Sequence, residues 1–256
     1  MINIFELVQS PYERKTRAVP GLLIALPLLV PLVCVYGKEH PLLTAMIGLL
    51  GGCGAIYALA SVVRGRGKKL EQRLIKEWGG MPTTIVLRHK DRFLDSISKQ
   101  RYHNAITSKL GIKMPTAEDE INDPAMADDV YIGATRLLRE LTRSNKQLLL
   151  AENIAYGFHR NMLAMKPIGI LSCLLSIIYA LWIANVLKLE PPRFLIENFS
   201  TFNLALSLPL IVSTLLLSAW LFYFDKSAVK QIGITYAERL LECLSTLPMN
   251  APQTKD

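Results

Sequence analysis

Four stretches of this chain contain no Asp, Glu, Lys, Arg or His. Ala18–Tyr36, Leu42–Val63, Pro167–Leu187 and Phe202–Phe224 run for 19, 22, 21 and 23 residues. The hydrocarbon core of a bilayer takes about 20 residues of helix. Buried core helices rarely run this long without charge, and the rest of the chain is too short to cover four of them. The same absence argues against an ion-coupled transporter or proton pump, which keeps ionisable groups at membrane depth. It leaves a membrane anchor, or a pore lined by hydroxyls, amides and backbone and built from several subunits.

Cysteine and histidine are also scarce, at four residues each. Cys34, Cys53, Cys173 and Cys243 form no CxxC pair and no metal-ligand spacing with a histidine. Neither a disulfide framework nor a zinc site is expected, and no cofactor is implied. GxxxxGK[ST], GxGxxG, HExxH and GxSxG do not occur. No histidine follows an arginine at the short spacing of helical ribonucleases. No cleavable signal peptide is expected, because the first apolar run starts after 17 residues and carries three prolines.

What the chain does have is segregated charge. The formal net charge is +8. Arg64–Lys166 holds 19 Lys/Arg and 12 Asp/Glu, hence +7. Arg14, Lys15 and Arg17 precede the first run. The short loop Gly37–Pro41 has one cation, Lys38, and the loop Lys188–Thr201 has two, Lys188 and Arg193. The positive-inside rule then puts both termini and the middle segment in the cytosol. The chain reads as an all-α integral membrane protein. Its four transmembrane helices flank a mainly helical cytosolic domain placed between helices 2 and 3. The expected segments are a tail 1–17, a hairpin 18–63, a basic domain 64–166, a second hairpin 167–224 and an amphipathic end 225–256.

Within the first run, Pro20, Pro27 and Pro31 predict a kinked helix packed against protein. In the second, Gly48 and Gly52 form a GxxxG pair for close helix packing, within the chain or between subunits. Arg64–Glu77 continues as a basic helix stopped at Gly79-Gly80. Pro82-Thr83-Thr84 caps Ile85–His89, a short helix or strand. Asp95–Leu110 is a helix stopped by Gly111. Glu118-Asp119-Glu120 reads as a solvated acidic turn. Asp123-Pro124 opens a helix whose apolar face is Val130, Ala134, Leu137, Leu138 and Leu141. Pro167 is expected to kink or interrupt the chain. Val229, Ile232, Tyr236, Leu240 and Leu244 mark a last amphipathic helix that docks on the middle domain.

The stretch Ala151–Ile170 joins the two halves. As a helix it groups Leu150, Ile154, Phe158, Met162 and Met165 on one face. Glu152, Tyr156, His159 and Arg160 share another. Arg88-His89 and Arg101 with His103 are further ionisable groups. Together they nominate a pocket for a nucleotide or another anionic ligand, or a membrane-bound enzyme with His159 as base and Glu152 as its orienter. The structural alternative is that these side chains bond neighbouring helices and lipid head groups.

Trp78-Gly79-Gly80-Met81-Pro82-Thr83-Thr84, Leu87-Arg88-His89 and Glu152-Asn153-Ile154-Ala155-Tyr156-Gly157-Phe158-His159-Arg160-Asn161 resemble segments of a group of uncharacterised bacterial membrane proteins. The resemblance covers most of the chain. It implies the bacterial inner membrane and a role in anti-phage defence, and it carries over no catalytic residue. The resulting expectation is a homo-oligomeric membrane effector or scaffold. It would answer a cytosolic protein partner or an anionic ligand.

Overall fold

The computed structural model describes residues 10–37, 39–42, 45, 48, 55–142 and 147–248. It is about 81% helical. The chain forms two compact units, one of Met1–Glu71 with Gly157–Ala228 and one of Gln72–Tyr156 with Val229–Asp256.

The first helix of the first unit, α1, spans Pro11–Tyr36. Ser10 caps it through a bond from the Glu13 amide, and Pro11 sits where its missing N–H costs nothing. Arg14–Ala18 is a π-helical turn. Residue 20 is proline, so the Thr16 carbonyl has no α-helical donor four residues on. Beyond it, Pro20, Gly21, Ile24, Pro27 and Pro31 are buried at spacings that place them on one face. The helix runs on through Pro27 and Pro31.

Three more helices build this unit: Ile56–Glu71 of α2 (Ile56–Trp78), Gly157–Ile183 of α7 (Gln147–Ile183), and α8 (Leu204–Phe222). The α8 helix packs along α1. Ile24, Val63, Met162, Met165, Cys173, Trp220 and Phe224 form the apolar centre. Ser213 Oγ donates to Ser176 Oγ at 2.8 Å in a buried bond between α8 and α7. Lys166 Nζ donates to the carbonyls of Leu221 and Phe224 at 3.1 and 3.0 Å. It thereby serves the carbonyls that a helix C-terminus leaves without partners. Trp220 lies over Gly169, where a Cβ would stand 2.2 Å from the indole. Leu171, Leu174, Leu175, Ile178, Leu208, Ile211 and Leu215 are exposed. Hydrocarbon accommodates such a surface where water does not.

Three helices among the described residues are long and apolar enough to cross a membrane: Pro11–Tyr36, Leu149–Ile183 and Leu204–Phe222. Ten of the 22 residues of the run Leu42–Val63, Gly52 among them, lie outside the described residues. A Cβ on Gly48 would meet nothing described within 4 Å. Pro167 does not interrupt the chain, because α7 continues through it. The loop Lys188–Thr201 departs from an all-helical reading. Leu187–Leu189 and Pro192–Phe194 pair as a small antiparallel hairpin, followed by a 3-10 turn, Ile196–Thr201.

The second unit is a helical cluster of α3 (Pro82–Ile85), α4 (Ser96–Leu110), α5 (Ala117–Asn122), α6 (Pro124–Thr142) and the C-terminal helix α9 (Lys226–Glu242) from Val229 on. Local chemistry sets the boundaries. Asp95 accepts from the Ser98 amide at 2.8 Å to open α4, and Gly111 closes it at φ 69°. Thr116 and Asp119 make a reciprocal capping box on α5. Asp123 accepts from the Met126 amide at 3.0 Å before Pro124. Val86, Leu87, Ile106, Leu110, Tyr131, Ala134, Leu138, Ala237, Leu240, Leu241 and Leu244 share one core. The C-terminal amphipathic helix therefore packs on the middle segment. Lys109 Nζ fixes its end by donating to the carbonyls of Leu244 and Leu247 at 2.6 and 2.8 Å.

Two local expectations are corrected here. Ile85–His89 is neither helix nor strand: the helix is Pro82–Ile85, and the chain turns at Val86 and Leu87. The acidic stretch is a helix rather than a solvated turn, and Glu120 is buried in it.

Candidate functional site

The nominated residues divide between the units. Arg88, His89, Arg101, His103, Glu152 and Tyr156 belong to the second, His159 and Arg160 to the first.

In the second unit, Arg88, His89 and His103 meet around the irregular segment 86–92. The turn at Gly79-Gly80 is tight, with Gly79 at φ 76°, a conformation glycine adopts without strain. It presents the Gly79 carbonyl to Arg88 Nη2 at 2.6 Å. The same guanidinium grips Asp128 with two parallel bonds of 2.7 Å, from Nε and Nη2. That bidentate geometry is the strong form of the pair. The bond to Asp128 raises the Arg88 pKa, against the opposing effect of burial. Lys99 is 6% exposed. Its ammonium donates to the carbonyls of Arg88 at 2.6 Å and His89 at 3.4 Å, and also to that of Asp91. Burial lowers the Lys99 pKa, and Asp91 and Glu120 oppose that.

Glu120 closes the cluster from the other side. It accepts from the His89 amide at 2.7 Å, the Lys90 amide at 3.3 Å and the Tyr131 hydroxyl at 2.8 Å. Burial alone would raise its pKa, but these bonds outweigh burial and hold it below the ordinary glutamate value. Tyr131 is pushed up by burial and by Glu120. His103 Nε2 donates to the Leu87 carbonyl at 2.8 Å, and His89 Nε2 donates to the Pro115 carbonyl at 3.0 Å. The two imidazoles meet edge to face at 4.8 Å. Burial lowers the His103 pKa, with the Leu87 bond opposing.

Chemically, this cluster is a clamp. It turns Lys99, His103 and Glu120 toward backbone groups that segment 86–92 cannot satisfy by itself, while Arg88 and His89 tie the segment to Asp128, Gly79 and Pro115. The remaining nominated groups of this unit stand apart from it. Arg101 is exposed on α4, its guanidinium 5.2 Å from the centre of the Tyr102 ring. A shallow recess of about 290 Å³ lies between Arg101, Tyr102 and Lys109 on one side and Leu241, Leu244 and Ser245 on the other. Tyr156 is buried, with its ring 3.1 Å from where a Cβ on Gly233 would stand. Glu152 is half-buried.

In the first unit, Arg160 and Asn161 form the polar joint. Arg160 Nη1 pairs with Glu71 at 2.9 Å, and Arg160 Nε and Nη2 both donate to Asn161 Oδ1 at 3.2 Å. Asn161 is fully buried and donates to the Thr16 carbonyl at 2.6 Å. That is the carbonyl Pro20 leaves without a helical donor. Close approach is possible because of two glycines. A Cβ on Gly157 would stand 3.0 Å from Thr16, and one on Gly67 only 1.8 Å from Asn161 Oδ1. His159 Nε2 lies 3.4 Å from the Tyr223 hydroxyl, within a ring cluster that includes Phe158 and Phe224. The expected apolar face of this stretch holds in part. Met162 and Met165 are buried, but Leu150 is 44% exposed while Asn161 is buried. Asn161, Glu71, Lys99, Glu120 and Asp128 were not among the nominated residues. The visible signal for Asn161 was a proline four residues after a carbonyl that then needs a donor.

The clamp predicts a pH dependence. Both His103 and Glu120 bind protons more weakly when folded than when unfolded, so acid favours unfolding. His103 contributes stability that is complete above its unfolded pKa of about 6.5 and is lost as pH falls through its lower folded value. Glu120 contributes above about 4.5 and loses its contribution lower still. The protection of the Val86–Lys90 amides against exchange, corrected for the base-catalysed intrinsic rate, should therefore hold near neutrality and fall as pH drops below it. His103→Gln, which keeps a donor for Leu87, should remove the first part of that acid loss. Acid-insensitive protection would contradict it.

Compared with known proteins, the chain matches no family model, no curated protein and no solved structure.

Proposed function

We propose that this chain is a membrane-embedded effector or scaffold, held in the bacterial inner membrane by four spans with both termini cytosolic. The fourth span is the uncharged run Leu42–Val63. The observation that carries the reading is the occupation of the nominated side chains. Arg88 holds Asp128, His89 and His103 hold backbone carbonyls, and Arg160 holds Glu71. Groups committed to protein partners in this way serve the fold first. Arg101 stays exposed, on the unit proposed to receive a cytosolic protein partner or an anionic ligand. One chain with four spans encloses no aqueous lumen, so membrane perturbation requires a homo-oligomer. The resemblance of the Trp78–Thr84 and Glu152–Asn161 segments supports a place in anti-phage defence.

Overexpression in a bacterial host with a membrane-potential dye tests this. Growth arrest with depolarisation is expected. It should persist in His159→Ala and be lost in Ser213→Lys, which puts a charge into the contact between α8 and α7. Growth arrest without depolarisation, abolished by His159→Ala, would favour an enzyme acting on a nucleotide or lipid phosphate through His159, Glu152 and Arg160.

A further inference from the structure

The first eight residues of α2 within the described chain, Ile56–Val63, carry no charge, and four cations follow within six residues: Arg64, Arg66, Lys68 and Lys69. At 100° per residue, Val63, Gly67 and Leu74 fall on one side of α2, and all three are buried. The four cations fall outside that arc, and all four are exposed.

Among the described residues, the carboxylates of the same unit make no ion pair with them. Glu71 is held by Arg160, and Glu13 by Arg17. Asp225 accepts from the Ala228 amide at 2.7 Å. Among the described residues, none of the four cations forms an ion pair. Lys15 adds a further exposed cation on the π-helical turn of α1. The charge is thus fixed to a rigid helix, directly beside an apolar run, with the nearby acids already engaged.

We infer that Arg64, Arg66, Lys68 and Lys69 form a docking surface for the phosphate groups of anionic phospholipids in the adjoining leaflet. The inference rests on reading the apolar helices as membrane spans. Guanidinium groups grip phosphate oxygens in pairs, and lysines add point charges. Their long stems let the charged ends reach the head-group layer while the helix backbone stays packed. The function would be lipid selection: the protein gathers anionic lipid around α2, and its position or activity depends on that lipid. Each cation near the surface strengthens attachment about fivefold.

The test is reconstitution of the full chain in nanodiscs of phosphatidylcholine with and without phosphatidylglycerol. Electron paramagnetic resonance of spin-labelled lipids then reads the relative association of the two head groups. A phosphatidylglycerol preference is expected for the wild type. It should fall by more than about tenfold in R64Q/R66Q/K68Q/K69Q, from the loss of four such increments. It should survive in the charge-conserving R64K/R66K/K68R/K69R. Circular dichroism shows whether the neutralised variant folds. If it does not, a salt titration of the wild type decides, since an electrostatic preference must fade as salt rises. Equal association of both lipids with the wild type, an unchanged preference in the folded neutralised variant, or a salt-insensitive preference would overturn the inference. So would displacement by inorganic phosphate at constant ionic strength, which would identify a phosphate site instead. A chain that fails to enter the nanodisc would defeat the membrane reading itself. A chain that enters without selecting lipid would defeat only this inference.

Discussion

Lys99→Met is expected to destabilise the second unit by about 3 kcal/mol or more. The reason lies in what the ammonium leaves behind. Three carbonyls, of Arg88, His89 and Asp91, converge on Nζ. Methionine fills a similar volume but donates nothing, so those oxygens must find water or remain unpaired, at about 1–3 kcal/mol for each one left buried. The expected effect stays near the low end because His89 and Asp91 are only half-buried, and water can reach part of the segment. The lowered Lys99 pKa shows that burying this cation already costs free energy. The loss on replacement therefore measures the orphaned carbonyls rather than a favourable charge. Urea unfolding of the purified chain, read by hydrogen exchange across segment 86–92, gives the value. A change within about 0.5 kcal/mol, the range of an ordinary surface substitution, would mean that the lysine does not hold the segment.

Gly67→Ala is expected to destabilise the first unit strongly. A Cβ there would stand 1.8 Å from Asn161 Oδ1 and 2.9 Å from Asn161 Cγ. The obstructing atoms belong to a fully buried amide held at both ends, by Arg160 on one side and the Thr16 carbonyl on the other. They cannot swing aside without breaking a bond. The cost is overpacking of about 1–3 kcal/mol together with about 1–3 kcal/mol for an orphaned carbonyl at Thr16. Alanine is otherwise favoured over glycine in a helix by about 1 kcal/mol, so helix propensity pushes the other way. Thermal unfolding in detergent should show a clear loss for Gly67→Ala. Gly65→Ala is the matched control, because a Cβ there meets nothing within 4 Å. Equal stability of the two variants would contradict the polar joint.

The parts of this structure that were legible in the sequence depend on local chemistry. Asp95 with Gly111, and Asp123 with Pro124, mark helix ends through local chemistry. Apolar periodicity marked the face of α6 and the C-terminal helix. The apolar runs that became α1, α7 and α8 were legible for the same reason: composition alone carries that signal. The acidic turn was misread because its own spacing gives no hint that Glu120 is buried. That depends on Tyr131 and on the amides of His89 and Lys90, which only tertiary structure brings near.

The same limit explains the nominated residues. Sequence singled out Arg88, His89, His103 and Arg160 as groups capable of chemistry. Their partners are 40 residues away for Arg88 and Asp128, and 89 for Arg160 and Glu71. Asn161 and Thr16 are 145 apart. No periodicity reports such pairs. A sequence read alone therefore sees an arginine in search of an anion, when the anion is already supplied by the chain.

The measurement that tests this account most directly is a double-mutant cycle on Arg88 and Asp128, using Arg88→Met, Asp128→Leu and the two together. If Arg88 is committed to Asp128, Asp128→Leu strands a guanidinium that is 7% exposed, whereas Arg88→Met leaves a carboxylate that is 34% exposed and still reaches water. The double change should then recover part of the loss, giving a coupling of about 1–2 kcal/mol in the unfolding of the second unit. Additive effects, with Arg88→Met leaving stability unchanged, would contradict the account and return Arg88 to the role of a ligand-binding group.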